Sequence, residues 1–266
     1  MTVSVALIGF GAIAQDLLIK VQSDPHLRVK QILVRATACD STQAKIDLQT
    51  EVITSVDALD DDIDFVLECA GHGALKDYGA AVLARGFDLG ILSAGALSDD
   101  ALVAELNSAT AQSKAKVIVV PGAIGGIDAL SAVESGGLTS VCYTGRKAPI
   151  SWKGTPADVV CDLDTLTEPC EIFSGTAREA AQAFPKNANV VATVALAGLG
   201  FDDTTVRLFA DPAVTRNTHR VQAVGDNVSF DFETSSGTLP HNPRTSALTS
   251  QSAYRALKLR AYPFST

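Results

Sequence analysis

Six residues near the amino terminus, Gly9-Phe10-Gly11-Ala12-Ile13-Ala14, form a G-x-G-x-x-A run. An apolar stretch over residues 3–8 precedes it. A helical pattern over residues 11–23 follows, with Ile13, Ala14, Leu17, Leu18 and Val21 on one face. In that context the first glycine permits a tight turn, the second removes a side chain that would block a pyrophosphate, and Ala14 lets the helix close on the strand. Exposed N–H groups and the positive end of the helix dipole then hold the phosphates. The run predicts a dinucleotide site at Gly9, Phe10, Gly11, Ala12 and Ile13. The second strand of such a site ordinarily ends in an acidic residue that binds the ribose 2′-hydroxyl. Here it ends Leu33-Val34-Arg35. Arg35 suits a 2′-phosphate, adenine stacking or plain solvent, so the expected cofactor is NAD or NADP.

Four histidines, His26, His72, His219 and His241, carry the side-chain type suited to acid/base work at neutral pH. His26 follows Asp24-Pro25 in an expected surface turn, and His241 falls in an expected loop over residues 240–243. His72 lies in Cys69-Ala70-Gly71-His72-Gly73, at the end of an expected strand, where open α/β sheets bind cofactors. His219 shares an apolar face with Val221 and Ala223 at strand alternation. Spacing alone leaves two readings: a satisfied core histidine, the more frequent case, or a general acid/base. Asn187 and Asn189 open a very apolar helix; one can cap it and leave the other for a carboxamide or carboxylate. The loop over residues 121–126 is glycine-rich, so its backbone can approach a ligand, or it is an ordinary loop. Arg146, Lys147 and Lys153 are cations that could meet an anionic substrate or face water.

The elements that must position these residues follow two rhythms. Up to residue 120 short apolar runs (3–8, 29–34, 64–69, 87–93, 116–120) alternate with helical patterns, one of them expected to be capped by Ser98 and to run to about residue 114. This alternation predicts an α/β domain with a parallel sheet covered on both faces. After Gly122 helices are expected over 127–135, 177–184 and 187–199, with strands over 138–146, 204–210, 218–224 and 228–233. That pattern predicts an α+β domain with a mainly antiparallel sheet. The expected domains are 1–120 for the dinucleotide and 121–243 for substrate and dimerisation, with a final helix at about 244–266 able to pack back on the first. The 266 residues carry a net charge of −9, which excludes phosphate-backbone binding to nucleic acid and disfavours an anionic membrane. No apolar run is long enough to span a membrane, and no basic leader precedes residue 9. Five cysteines without C-x-x-C spacing read as free, buried thiols in a reducing cytoplasm, with neither disulfide nor metal site.

The chain resembles the L-aspartate dehydrogenase family. The matching blocks are residues 9–14, Pro121-Gly122-Ala123-Ile124-Gly125-Gly126-Ile127-Asp128-Ala129, Thr144-Gly145-Arg146-Lys147, Trp152-Lys153-Gly154-Thr155-Pro156-Ala157, Phe184-Pro185-Lys186-Asn187-Ala188-Asn189-Val190, Asp211-Pro212 with Asn217-Thr218-His219, and Asn242-Pro243-Arg244-Thr245-Ser246. The resemblance implies a Rossmann-type domain followed by an α+β domain in a homodimer. It implies that Ala123 and Asn189 contact the nicotinamide cofactor and that His219 is the catalytic histidine. The implied activity is reversible, NAD(P)-dependent oxidative deamination of L-aspartate to iminosuccinate, which hydrolyses to oxaloacetate and ammonia, a reaction of amino acid metabolism and NAD biosynthesis. Two other readings stay open at this point. One is another reductase of this fold, homoserine-dehydrogenase-like or dihydrodipicolinate-reductase-like. The other is a non-catalytic NAD(P)-sensing module.

Overall fold

The computed structural model describes residues 2–47 and 49–264. The chain forms two compact units, residues 2–120 with 249–264, and residues 121–248. No helix among the described residues is long and apolar enough to cross a membrane.

The first unit alternates strand and helix: β1 (Val3–Ile8), α1 (Ala12–Gln22), β2 (Leu27–Leu33), α2 (Cys39–Gln43), β3 (Glu51–Ile53), β4 (Phe65–Glu68), α3 (His72–Ala84), β5 (Leu89–Ile91), α4 (Asp100–Ser113) and β6 (Val117–Val119). All five pairings are parallel, in the order β3-β2-β1-β4-β5-β6. This is the doubly wound order of Rossmann-type folds, whose ligand crevice opens where the order reverses, beside β1 and β4. Apolar residues on both faces of β1 explain its position at the sheet centre. Ala6 and Ile8 join one core with Leu75, Val82 and Leu106, and Val5 and Leu7 join another with Leu17 and Leu18.

In the second unit α5 (Ile127–Glu134) precedes β7 (Leu138–Lys147), β8 (Cys170–Thr176), α6 (Ala177–Ala183), α7 (Ala188–Ala197), α8 (Gly200–Asp203), β9 (Thr204–Ala210), β10 (Asn217–Gly225) and β11 (Ser229–Ser236). Their sheet runs β11-β10-β7-β9-β8 and is antiparallel except for the β7–β9 pair. A small ladder, β12 (Thr238–Leu239) with β13 (Asn242–Ser246), leads into α9 (Ala247–Ala261). The carboxy-terminal part of α9 packs in the first unit. Tyr254 Oη donates to Asp24 Oδ2 at 2.7 Å, and the Arg260 guanidinium pairs with Asp88 and lies 3.9 Å above the Phe65 ring.

Several local expectations need correction. Asp99, not Ser98, caps α4: its side chain accepts from Ala101 N, while the Ser98 hydroxyl donates back to Gly95 O inside a short 3₁₀ turn. The strand expected over 87–93 shrinks to Leu89–Ile91. The expected loop at 240–243 gives up Asn242 and the next residue to β13. The three-residue strand β3 and the seven-residue edge strand β8 were outside the expected set. All five thiols are unpaired, but only Cys69 is buried; Cys142 and Cys161 are half-buried.

Candidate active site

In the first unit a cleft of about 540 Å³ opens at the carboxyl ends of β1, β2 and β4. Gly9, Phe10 and Gly11 line it after β1, Arg35 after β2, and Gly71 and His72 after β4. Ala12 and Ile13 stand in the first turn of α1 and are not among its lining residues. The Gly9 turn has φ +87°, and a Cβ there would lie 2.4 Å from Ala70 Cβ, so only glycine lets the two loops meet. A Cβ on Gly11 would meet nothing nearer than Cys69 O at 3.9 Å, which leaves the approach to the backbone open. No side chain caps α1 and no acidic residue sits in its first turn, and α3 also starts without a side-chain cap. Two helix starts thus turn their positive ends toward a cleft that fits a pyrophosphate. Beyond β2, Ser41 and Lys45 join Arg35 on the wall.

Sequence reasoning missed Glu68. Its carboxylate is wholly buried and accepts from Ala70 N and Gly71 N at 2.7 Å each, and from Ser93 N and Ser93 Oγ at 3.0 Å each. Four donors converging on one side chain fix the loop that carries Gly71 and His72. An acidic residue ending an apolar strand was the only signal in the chain.

In the second unit one face of the sheet carries Tyr143, Gly145 and Lys147 from β7, with His219, Val221 and Ala223 from β10. His219 pairs across the strands with Gly145 on one side and Thr234 on the other. It is 4% exposed, and Tyr143 Oη lies 2.7 Å from its Nδ1. A Cβ on Gly145 would stand 2.8 Å from Tyr143 Oη, so the missing side chain is what lets the phenol reach the imidazole. Burial, with a further push from the Lys147 ammonium, lowers the His219 pKa to about 3, so the ring is neutral at pH 7. Burial also raises the Tyr143 phenol above its ordinary range and keeps it protonated.

Around this pair the unit gathers other residues singled out by sequence. The Thr234 hydroxyl lies 3.3 Å from the carbonyl oxygen of buried Ala123 and 3.4 Å from that of His219. Gly125 and Gly126 pack under the Phe232 ring, so their close approach serves packing. The Lys147 ammonium donates to Asn187 Oδ1 and lies over the Trp152 ring. Asn187 occupies the cap position of α7 but makes no capping bond, contrary to expectation, because its side chain is turned to Lys147. Asn189 sits on the exposed side of α7, where its carbonyl accepts from the Thr193 hydroxyl. His26 is exposed and meets Tyr262 edge-on, and His241 is exposed in the turn between β12 and β13. Tyr143 and Gly145 were not recognised as the support of the imidazole, since only the strand register brings them to it.

A family model described as the aspartate dehydrogenase C-terminal domain matches residues 128–260, and one described as the homoserine dehydrogenase NAD binding domain matches residues 9–120. A protein of Polaromonas sp. named L-aspartate dehydrogenase is 46% identical over 95% of this chain and 96% of its own. The chain belongs to the aspartate dehydrogenase family. A second relative of that name, from Ralstonia nicotianae, is 45% identical over 98% of each chain. The crystal structure of aspartate dehydrogenase from Thermotoga maritima superposes with a TM-score of 0.79 at 26% identity, covering all of both chains. This member of the aspartate dehydrogenase family therefore has a dinucleotide-type first unit and a family-specific second one.

Glu68→Gln would turn an amide NH₂ toward N–H donors. It should lower the unfolding free energy by about 1–3 kcal/mol in urea titrations and weaken NADH binding by loosening the Gly71 loop. Unchanged stability together with unchanged binding would show that the carboxylate does not brace the cleft.

Proposed function

We propose that this protein catalyses the reversible oxidation of L-aspartate at Cα with NAD or NADP, giving iminosuccinate and, by hydrolysis, oxaloacetate and ammonia. The observation that carries the reading is the 45–46% identity, over nearly the full chain, to proteins named L-aspartate dehydrogenase. When bound, the dinucleotide supplies the hydride-accepting nicotinamide carbon. The residues of the chain do the rest. Gly9, Phe10 and Gly11, with Ala12 and Ile13 in the first turn of α1, receive the pyrophosphate. Ala123 and Asn189 are assigned to the nicotinamide end. His219 moves the proton at the amine nitrogen or at the hydrolytic water through Nε2, since Nδ1 is engaged by Tyr143. Residues 1–120 form the dinucleotide domain and 121–243 the substrate and dimerisation domain, with the last helix returning to the first.

The protein is further assigned to the reducing cytoplasm, which five unpaired thiols support. It is assigned as a homodimer through the second unit, where Ile150, Val159, Val160, Val224 and Val228 are exposed apolar side chains.

Four measurements test this reading. Reduced nicotinamide should accumulate with L-aspartate in preference to other amino and hydroxy acids. His219→Asn should lower kcat by about 10²–10⁴ with NADH affinity unchanged. Turnover of homoserine or a dihydrodipicolinate without turnover of aspartate would overturn the substrate, and cofactor binding without any turnover would make the protein a sensor. Arg35→Asp should shift the NADP/NAD preference by about tenfold or more toward NAD, as loss of a charge-assisted phosphate contact requires; an equal effect on both cofactors refutes that role. Light scattering should report twice the chain mass of 27.7 kDa, and the single-chain mass would refute the dimer.

A further inference from the structure

We infer that Lys147 is the anchor for a substrate carboxylate, holding it on the sheet face that carries His219; this rests on the proposed oxidation at that site. Three cations of the second unit were open to an anionic ligand, and the structure separates them. Arg146 pairs with Asp211 at 3.2 Å and lies 4.3 Å from the Phe209 ring centre. Lys153 pairs with Asp164. Lys147 has no carboxylate partner among the described residues; its polar contact is the neutral amide oxygen of Asn187. Strand alternation puts Lys147 on the same side of β7 as Gly145, and Gly145 lies directly opposite His219. The ammonium and the imidazole are therefore diagonal neighbours on one face.

A cation partly withdrawn from water and left without a counter-charge is costly, and the cost falls when an anion arrives. Burial alone already pushes the Lys147 pKa down to about 8, the response of an ammonium short of both water and negative charge. The surroundings fix the ammonium and do not neutralise it. Trp152 beneath it is fully buried, and its indole N–H donates to Phe209 O at 3.1 Å. Asn187, turned away from capping, leaves the start of α7 without a side-chain cap, and no acidic residue stands in that first turn. A second positive element thus lies one amide away from the first. The ligand class this arrangement takes is a carboxylate, supplied by an amino dicarboxylic acid.

Calorimetric titration of succinate, which has both carboxylates and no reacting amine, tests the anchor in the NADH-loaded protein. Lys147→Met should weaken succinate binding, and raise KM for L-aspartate, by about 10- to 100-fold, with NADH affinity unchanged. Lys147→Gln serves if the methionine variant does not fold. Lys153→Met should leave succinate binding as in the wild type. Wild-type protein that binds no succinate, or a folded Lys147 variant that binds it normally, overturns the anchor. Succinate bound through Lys147 without aspartate oxidation would sink the reaction and keep the anchor. Aspartate oxidation with an unchanged KM in Lys147→Met would sink the anchor and keep the reaction.

Discussion

An imidazole taken out of water stays neutral unless negative charge is brought to it. His219 meets that condition in a strict form. It is buried in the face of a sheet, held at Nδ1 by a buried phenol and placed diagonally to an ammonium that opposes its protonation. Such a ring is a poor base in the free protein. A carboxylate seated on Lys147 would offset the opposing charge and make the same ring a better proton acceptor only when substrate is present. Binding and proton transfer are then coupled through one electrostatic term.

The rest of the second unit serves that arrangement. Tyr143 reaches His219 because residue 145 has no side chain, and the register that sets Gly145 opposite His219 comes from the long β7–β10 pairing. A one-residue slip would turn His219 to the opposite face of the sheet. The first unit solves a different problem with the same economy of side chains. Its cleft relies on backbone N–H groups and helix ends, and the loops that present them are held by a turn only glycine can make at residue 9 and by the buried Glu68 carboxylate.

Much of this was legible in the sequence where the signal is local. The strand, the glycine turn and the helix of residues 3–22 follow from adjacent residues, and the alternation around His219 marks its burial. The rest depends on register and long-range pairing. Nothing near residue 143 announces a partner 76 positions away, and nothing near Glu68 announces Ser93. Asn187 reads as a helix cap because caps are local, and it is diverted by a lysine that is adjacent only through the fold. The three-residue strand β3 and the irregular edge strand β8 are too short, or too broken by a bulge, for periodicity to detect.

The proposed chemistry depends on the protonation state of one ring. Nitrogen-15 NMR of the histidines, followed from pH 8 to pH 5, reads it in the intact protein. His219 should keep the shifts of a single neutral tautomer across that range. A His219 resonance that titrates with an ordinary midpoint in the free protein would contradict the buried, charge-opposed imidazole on which the proposed chemistry depends.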